Sequence, residues 1–369
     1  MNFEQILFGL FLAVLCAGCT SIKPVTPNAS PEAAALLKYL YSISGRHTMT
    51  GQHNFPNTKD ASTVRVAQLY GKVPAIFGQD FGFAAPGDKD SVAARPDIIA
   101  ECKRQWTNGA IITLCWHAVP PTADEPVTFM PKRGASATNR LASVQGRLTD
   151  EQWNELITPG TELNKHWCAQ VDVIAGYLKQ LQAAHVPVLW RPYHEMNGEW
   201  FWWGGRRGER STTVLYRQLF DRLVNYHNLN NLIWIWSVDR PATPERQFAD
   251  YFPGRQYFDI AALDVYHSDF KPSYYRDLLK LADGKPITLA EVGPPPTVDI
   301  LKQQPKWLWW MQWAGMGGRG GSATHAIQTL FNDPRSYSLS DSGYHRAITP
   351  VRAAAGLPPL PPLAATETR

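Results

Sequence analysis

Two glutamates close apolar stretches of the chain. One ends Trp190-Arg191-Pro192-Tyr193-His194-Glu195 and the other ends Thr288-Leu289-Ala290-Glu291. A carboxylate set against an apolar run is costly unless it is paired or used. Alone, each Glu is explained by an ion pair, for example with Arg191. Two of them, surrounded by Trp, match what cleavage of a glycosidic bond requires. One carboxyl must stay protonated to give a proton to the leaving oxygen, while the other must stay ionised to attack the anomeric carbon. Their surroundings must therefore push the two pKa values apart.

Other chemistries find no support in the sequence. His194-Glu195-Met196-Asn197-Gly198 lacks the second His that a zinc-binding helix needs, and no compact His/Asp cluster stands elsewhere, so no metal is expected. There is no Gly-x-Ser-x-Gly elbow for a serine hydrolase. No strand-like run leads into a Gly-rich dinucleotide turn, and no cofactor is expected. Lys+Arg is 36 against Asp+Glu 32, a formal charge of +4 with no basic block, which argues against a nucleic-acid partner. Past the leader, Cys102, Cys115 and Cys168 allow at most one disulfide and read best as buried free thiols.

The glutamates must be held by elements, and the chain of 369 residues offers eight short apolar runs. They cover residues 47–54, 75–81, 110–118, 186–195, 232–239, 260–269, 286–293 and 307–315. Several are apolar on successive positions, such as Leu232-Ile233-Trp234-Ile235-Trp236, as expected of parallel strands covered on both faces. Helical stripes lie between them. Trp167, Val171, Ile174, Leu178 and Leu181 form one, and Val214, Leu215, Leu219, Leu223 and Tyr226 form another. Strand and helix alternating eight times predict an α/β fold, a (β/α)8 TIM barrel, with its chemistry at the C-terminal ends of the strands. A long proline-bearing connection from Ala118 to about Glu162 is expected to shape one end of a groove. Pro294-Pro295-Pro296 predicts a stiff loop that could narrow a subsite, and residues 315–321 predict a flexible Gly-rich loop.

The segment His194-Glu195-Met196-Asn197-Gly198-Glu199-Trp200-Phe201-Trp202-Trp203 resembles the acid/base motif of glycoside hydrolase family 26, the β-mannanases. The order of other residues agrees: Trp116-His117 after the third strand, Tyr266 after the sixth, Glu291 after the seventh and Trp313 after the eighth. The resemblance spans about residues 36 to 350. It implies a retaining enzyme without cofactor, with Glu195 as acid/base and Glu291 as nucleophile. It further implies that Tyr266 bonds Glu291, that His117 and His194 contact the reactive sugar, that Trp313 stacks under that sugar, and that Trp200 lines the leaving-group side. Of Trp202, Trp203, Trp309 and Trp310, about half are expected in the core. Asp239, Asp264 and Asp269 are weaker groove candidates.

The expected substrate is β-mannan or manno-oligosaccharides, cut internally by a monomer. An exo-like mode, β-1,3-xylan and mixed-linkage β-glucan remain open within the same family, and a non-catalytic glycan-binding lipoprotein is the competing class. Residues 1–18 resemble a lipoprotein signal, ending Leu15-Cys16-Ala17-Gly18-Cys19, with Cys19 as the lipidation site and the bacterial envelope as the location. Residues 19–35 are expected as a tether, 36–355 as the barrel and 356–369 as a disordered tail.

Overall fold

The computed structural model describes residues 22–82, 91–129, 142–316 and 322–363. The leader with Cys19, most of the Gly-rich stretch 315–321 and the last six residues lie outside that range. Eight strands form the frame: β1 Thr48–His53, β2 Ile76–Asp80, β3 Ile111–Trp116, β4 Val188–Pro192, β5 Leu232–Asp239, β6 Ile260–Val265, β7 Ile287–Val292 and β8 Trp307–Gln312. Every neighbouring pair is parallel. The sheet closes where β8 meets β1, with Met49 opposite Trp309 and Thr50 opposite Trp310. A (β/α)8 barrel results, as the alternating runs predict.

Closure explains the sequence pattern. Every residue of all eight strands is buried, because one face fills the barrel and the other meets the helices. Close strand approach also demands Gly51, where a Cβ would lie 3.0 Å from both Met311 Cβ and Trp310 O. The helix Glu162–Gln182 buries the stripe Trp167, Val171, Ile174, Leu178 and Leu181, and Thr161 caps it by accepting from Asn164 N. The second stripe departs from expectation at its end. Thr212–Asp221 is α-helical, but Arg222–Tyr226 forms a π turn. The extra residue per turn rotates Tyr226 outward, to 63% exposure.

The expected boundaries need correction at both termini. The stretch read as a tether is docked from Val25 onward: Val25 N donates to Asp259 Oδ1 at 2.7 Å and Thr26 Oγ1 to Leu232 O at 3.1 Å. A helix Pro31–Ile43, capped by Ser30, follows directly. The tail from Gly356 lacks helix or strand through residue 363, yet it is packed and not disordered there. Leu360 sits where a Cβ on Gly109 would be, and the Arg352 guanidinium donates to Pro358 O as well as to Trp106 O and Thr107 O. Apolar contacts and backbone acceptors at the barrel base hold both segments. No helix among the described residues is long and apolar enough to cross a membrane.

The long third loop has secondary structure of its own among its described residues. It carries a two-strand parallel ribbon, Val127–Thr128 with Ala142–Ser143, and the helix Asp150–Leu156 with a Thr149/Gln152 capping box. Its return limb joins the loop after β4, where Trp202 N donates to Val144 O and Gly146 N to Trp200 O.

Candidate active site

Strand ends supply the site. β4 stops at Pro192, and the next three residues turn sharply, with φ of 46° at Tyr193 and 50° at Glu195. Left-handed backbone at a non-glycine residue is uncommon and clusters at functional sites. The turn lifts His194 and Glu195 over the barrel mouth. From β7, Glu291 reaches the same space. One cleft of about 710 Å³ is lined by His117, His194, Glu195, Trp200, Tyr266, Glu291 and Trp313, so the structure brings together all seven residues singled out in the sequence.

The two glutamates have different surroundings. Glu291 accepts from Arg191 Nη2 at 2.6 Å and from the Tyr266 hydroxyl. Arg191 is buried and also donates through Nη1 to Asp264 Oδ2 at 2.7 Å, while Ser237 Oγ donates to Asp264 Oδ1. Burial disfavours the Arg191 charge, but Asp264 and then Glu291 outweigh it and keep the guanidinium charged. Glu195 makes no ion pair among the described residues. It accepts from Trp200 Nε1 at 2.6 Å. Burial, then the charges of Glu291, Asp264 and Asp239, push its carboxyl well above the ordinary range.

Two histidines form the floor. His117 Nδ1 meets Asp80 Oδ2 at 2.5 Å, and Asp80 Oδ1 accepts from the backbone N–H of His117 and Gly82. Burial raises the Asp80 carboxyl, but the His117 contacts outweigh it and hold it below its usual value. Asp80, Cys115 and His117 place ligand-type atoms within 4.8 Å of one another. Asp80 is already engaged by three donors, so the group reads as a carboxylate-oriented histidine. The His194 ring stands 4.4 Å from that of His117, at 81°. Burial and then Arg191 lower its pKa well below normal, so it is a neutral imidazole, and its buried Nδ1 has no partner. Trp313 stacks on His53 at 4.1 Å and 18° and lines the cleft. CH faces of a sugar ring pack well on an indole.

A model of the family described as "Glycosyl hydrolase family 26" matches residues 25–340. The chain belongs to glycosyl hydrolase family 26. It is 33% identical over 291 residues to a mannan endo-1,4-β-mannosidase of Thermothelomyces thermophilus, covering 77% of this chain and 55% of that protein. To a mannan endo-1,4-β-mannosidase of Bacillus subtilis it is 29% identical over 310 residues, covering 78% and 79%. The chain thus spans about half the length of the first relative and most of the second. Among solved structures, GH26A of a Muricauda species superposes with a TM-score of 0.75 at 38% identity, covering 85% of this chain and 98% of that one.

Several features of this family 26 cleft differ from the sequence expectations. Trp202, Trp203, Trp309 and Trp310 are all buried at 2% exposure or less, not half of them, and none lines the cleft. Trp309 and Trp310 point to opposite faces of β8, and both faces are dry. Asp239 reaches the cleft, Asp264 lies beneath it on Arg191, and Asp269 sits outside, near Arg240 and Lys271. Pro294-Pro295-Pro296 borders a separate depression of about 370 Å³ and does not line the catalytic cleft. The third loop does shape the cleft, through Phe129 and Gln145. All three described cysteines are free.

Sequence reading missed Phe55, Arg240, Arg246 and His267, which also line the cleft. Phe55, Arg240 and His267 fall within two residues of a strand end, which was a usable signal, whereas Arg246 lies farther along the connection after β5.

The Trp200 contact carries a pH prediction. Trp200→Phe keeps an aromatic surface but deletes the N–H that favours ionised Glu195. The acid's pKa then rises further, and the alkaline limb of kcat/KM against pH should move to higher pH. A limb that stays or moves down in the Phe variant would show that this N–H does not hold Glu195.

Proposed function

We propose that the chain is an endo-acting β-1,4-mannanase that works by double displacement with retention of anomeric configuration. In the first step Glu291 attacks the anomeric carbon, while protonated Glu195 gives its proton to the departing glycosidic oxygen. That C–O bond breaks as the bond to Glu291 Oε forms. In the second step ionised Glu195 takes a proton from water, the water oxygen bonds the same carbon, and Glu291 leaves as a carboxylate.

One observation carries this reading: the opposite treatment of two carboxyls in one cleft. Glu291 is held by a buried guanidinium and a phenol, which stabilise and aim an anion. Glu195 is buried among carboxylates, which favours the protonated acid against the opposing pull of its indole N–H donor. Trp313 is read as the platform for the reactive sugar and Trp200 as that for the leaving group, with His117 and His194 over the reactive hydroxyls. The relatives' names support mannan as the polymer. Cys19 is read as a lipid anchor to the bacterial envelope, supported by the leader sequence.

The products formed from linear β-1,4-mannan over time test the assignment. A ladder of mixed oligomers from the earliest points is expected. A single short product would make the enzyme exo-like. Turnover of β-1,3-xylan or mixed-linkage glucan, with mannan untouched, would replace the substrate.

A further inference from the structure

Trp200 is the only donor to the Glu195 carboxyl among the described hydrogen bonds, so whatever fixes its indole also fixes that carboxyl. Two contacts fix it. The ring rests against Gly198, where a Cβ would come within 2.3 Å of indole carbons Cη2 and Cζ2, so only glycine lets the ring settle there. The Arg246 guanidinium lies over the ring, with Cζ 5.0 Å from its centroid. Arg246 ends a short 3-10 turn, Pro244–Arg246, in the connection after β5. It lines the cleft, and its guanidinium makes no hydrogen bond or ion pair among the described residues.

The backbone of that turn is tied to the acid/base loop. Asn197, two residues after Glu195 and fully buried, donates from Nδ2 to Arg246 O at 2.9 Å and to Asp239 O at 2.7 Å. Its Oδ1 accepts from Asp239 N at 2.7 Å. Tyr251 Oη donates to Glu245 O and holds the turn from its other side. The loop after β5 is therefore pinned to the loop after β4 at the height of Glu195.

We propose that Arg246 is a positioning residue for the proton-transfer step: stacked on Trp200, it holds the indole whose Nε1–H orients the Glu195 carboxyl. The proposal rests on Glu195 being the acid/base. A guanidinium stacks flat on an indole and is more weakly hydrated than an ammonium, so it can clamp the ring while its N–H edges remain free for the cleft. Charged and titratable groups facing Glu195 are Glu291 from β7, Asp264 on β6 with Tyr266 just past it, and Asp239 from β5.

Leaving-group dependence tests this directly. A mannose leaving group needs a proton, whereas dinitrophenolate departs without one. Arg246→Ala should lower kcat/KM on mannopentaose about tenfold. On dinitrophenyl β-mannobioside, where kcat/KM reports the first displacement alone, the loss in kcat/KM should stay below roughly twofold. The alkaline limb should rise, as for Trp200→Phe, and adding Arg246→Ala to Trp200→Phe should move it no further. Equal losses on both substrates, an unmoved limb, or additive shifts in the double variant would each overturn the proposal. Glu195→Ala measured alongside separates the two readings. If it shows no leaving-group dependence, the acid/base assignment itself fails, and the role of Arg246 falls with it.

Discussion

Glu291→Ala is expected to leave the protein folded and nearly silent on mannan, with turnover down by roughly 10⁵-fold or more. The carboxylate is the atom group that would bond the anomeric carbon, and Asp264 beneath it is committed to Arg191 and Ser237. Folding should survive because Arg191 keeps Asp264 as its counter-charge. The vacated space gives a stereochemical readout. Azide can enter where the carboxylate stood and attack an activated aryl β-mannoside once, producing the inverted α-mannosyl azide. Single-turnover rates, a melting curve and the anomer of that product check the assignment. Turnover within tenfold of wild type, or a β-azide, would remove Glu291 from the nucleophile role.

Glu195→Ala should cost about 10²–10⁴-fold on mannan. The loss should be uneven. With a dinitrophenyl leaving group the first displacement needs no proton, so the covalent intermediate should form quickly and break down slowly, giving a burst. Azide should rescue the second step and yield the β-mannosyl azide, the opposite anomer from the Glu291 variant. The wild-type profile should also lose activity as pH rises, since burial and then the neighbouring carboxylates hold the Glu195 carboxyl well above its ordinary value and its ionisation at higher pH removes the acid. In the Ala variant that alkaline limb should vanish. A retained limb, or equal losses on both substrates, would assign the proton to another group.

The barrel was legible because its physics is repetitive. Strands covered on both faces read as continuous apolar runs, so Ile111-Ile112-Thr113-Leu114 and Leu232–Asp239 announced themselves. Glu195 and Glu291 were legible as carboxylates that end apolar runs, and the other five cleft residues only through the resemblance to family 26. What stayed hidden depends on contacts far apart in the chain. Arg246 follows β5 in an irregular turn with no periodicity, and only its stacking on Trp200 gives it meaning. Asn197 sits inside the motif, yet its bonds to Asp239 and Arg246 span 42 and 49 residues. The prolines after Glu291 predict a stiff loop, but stiffness does not say which side of a loop faces the cleft, and they border a separate depression. The termini misled because Pro-rich composition looks extended whether or not it is docked. Asp259 and Gly109, which receive those segments, carry no local mark of doing so.

The docked termini have a consequence for how a polymer meets the protein. Val25 and Thr26 are pinned beside the entry ends of β5 and β6, and Leu360 is pinned on Gly109 just before β3. Both routes out of the described chain therefore leave from the blind side, opposite the mouth that holds Glu195 and Glu291. Any stalk or neighbouring module joined there would trail behind the barrel. The described ends of the chain therefore occupy none of the mouth side, where a polysaccharide would approach Glu195 and Glu291.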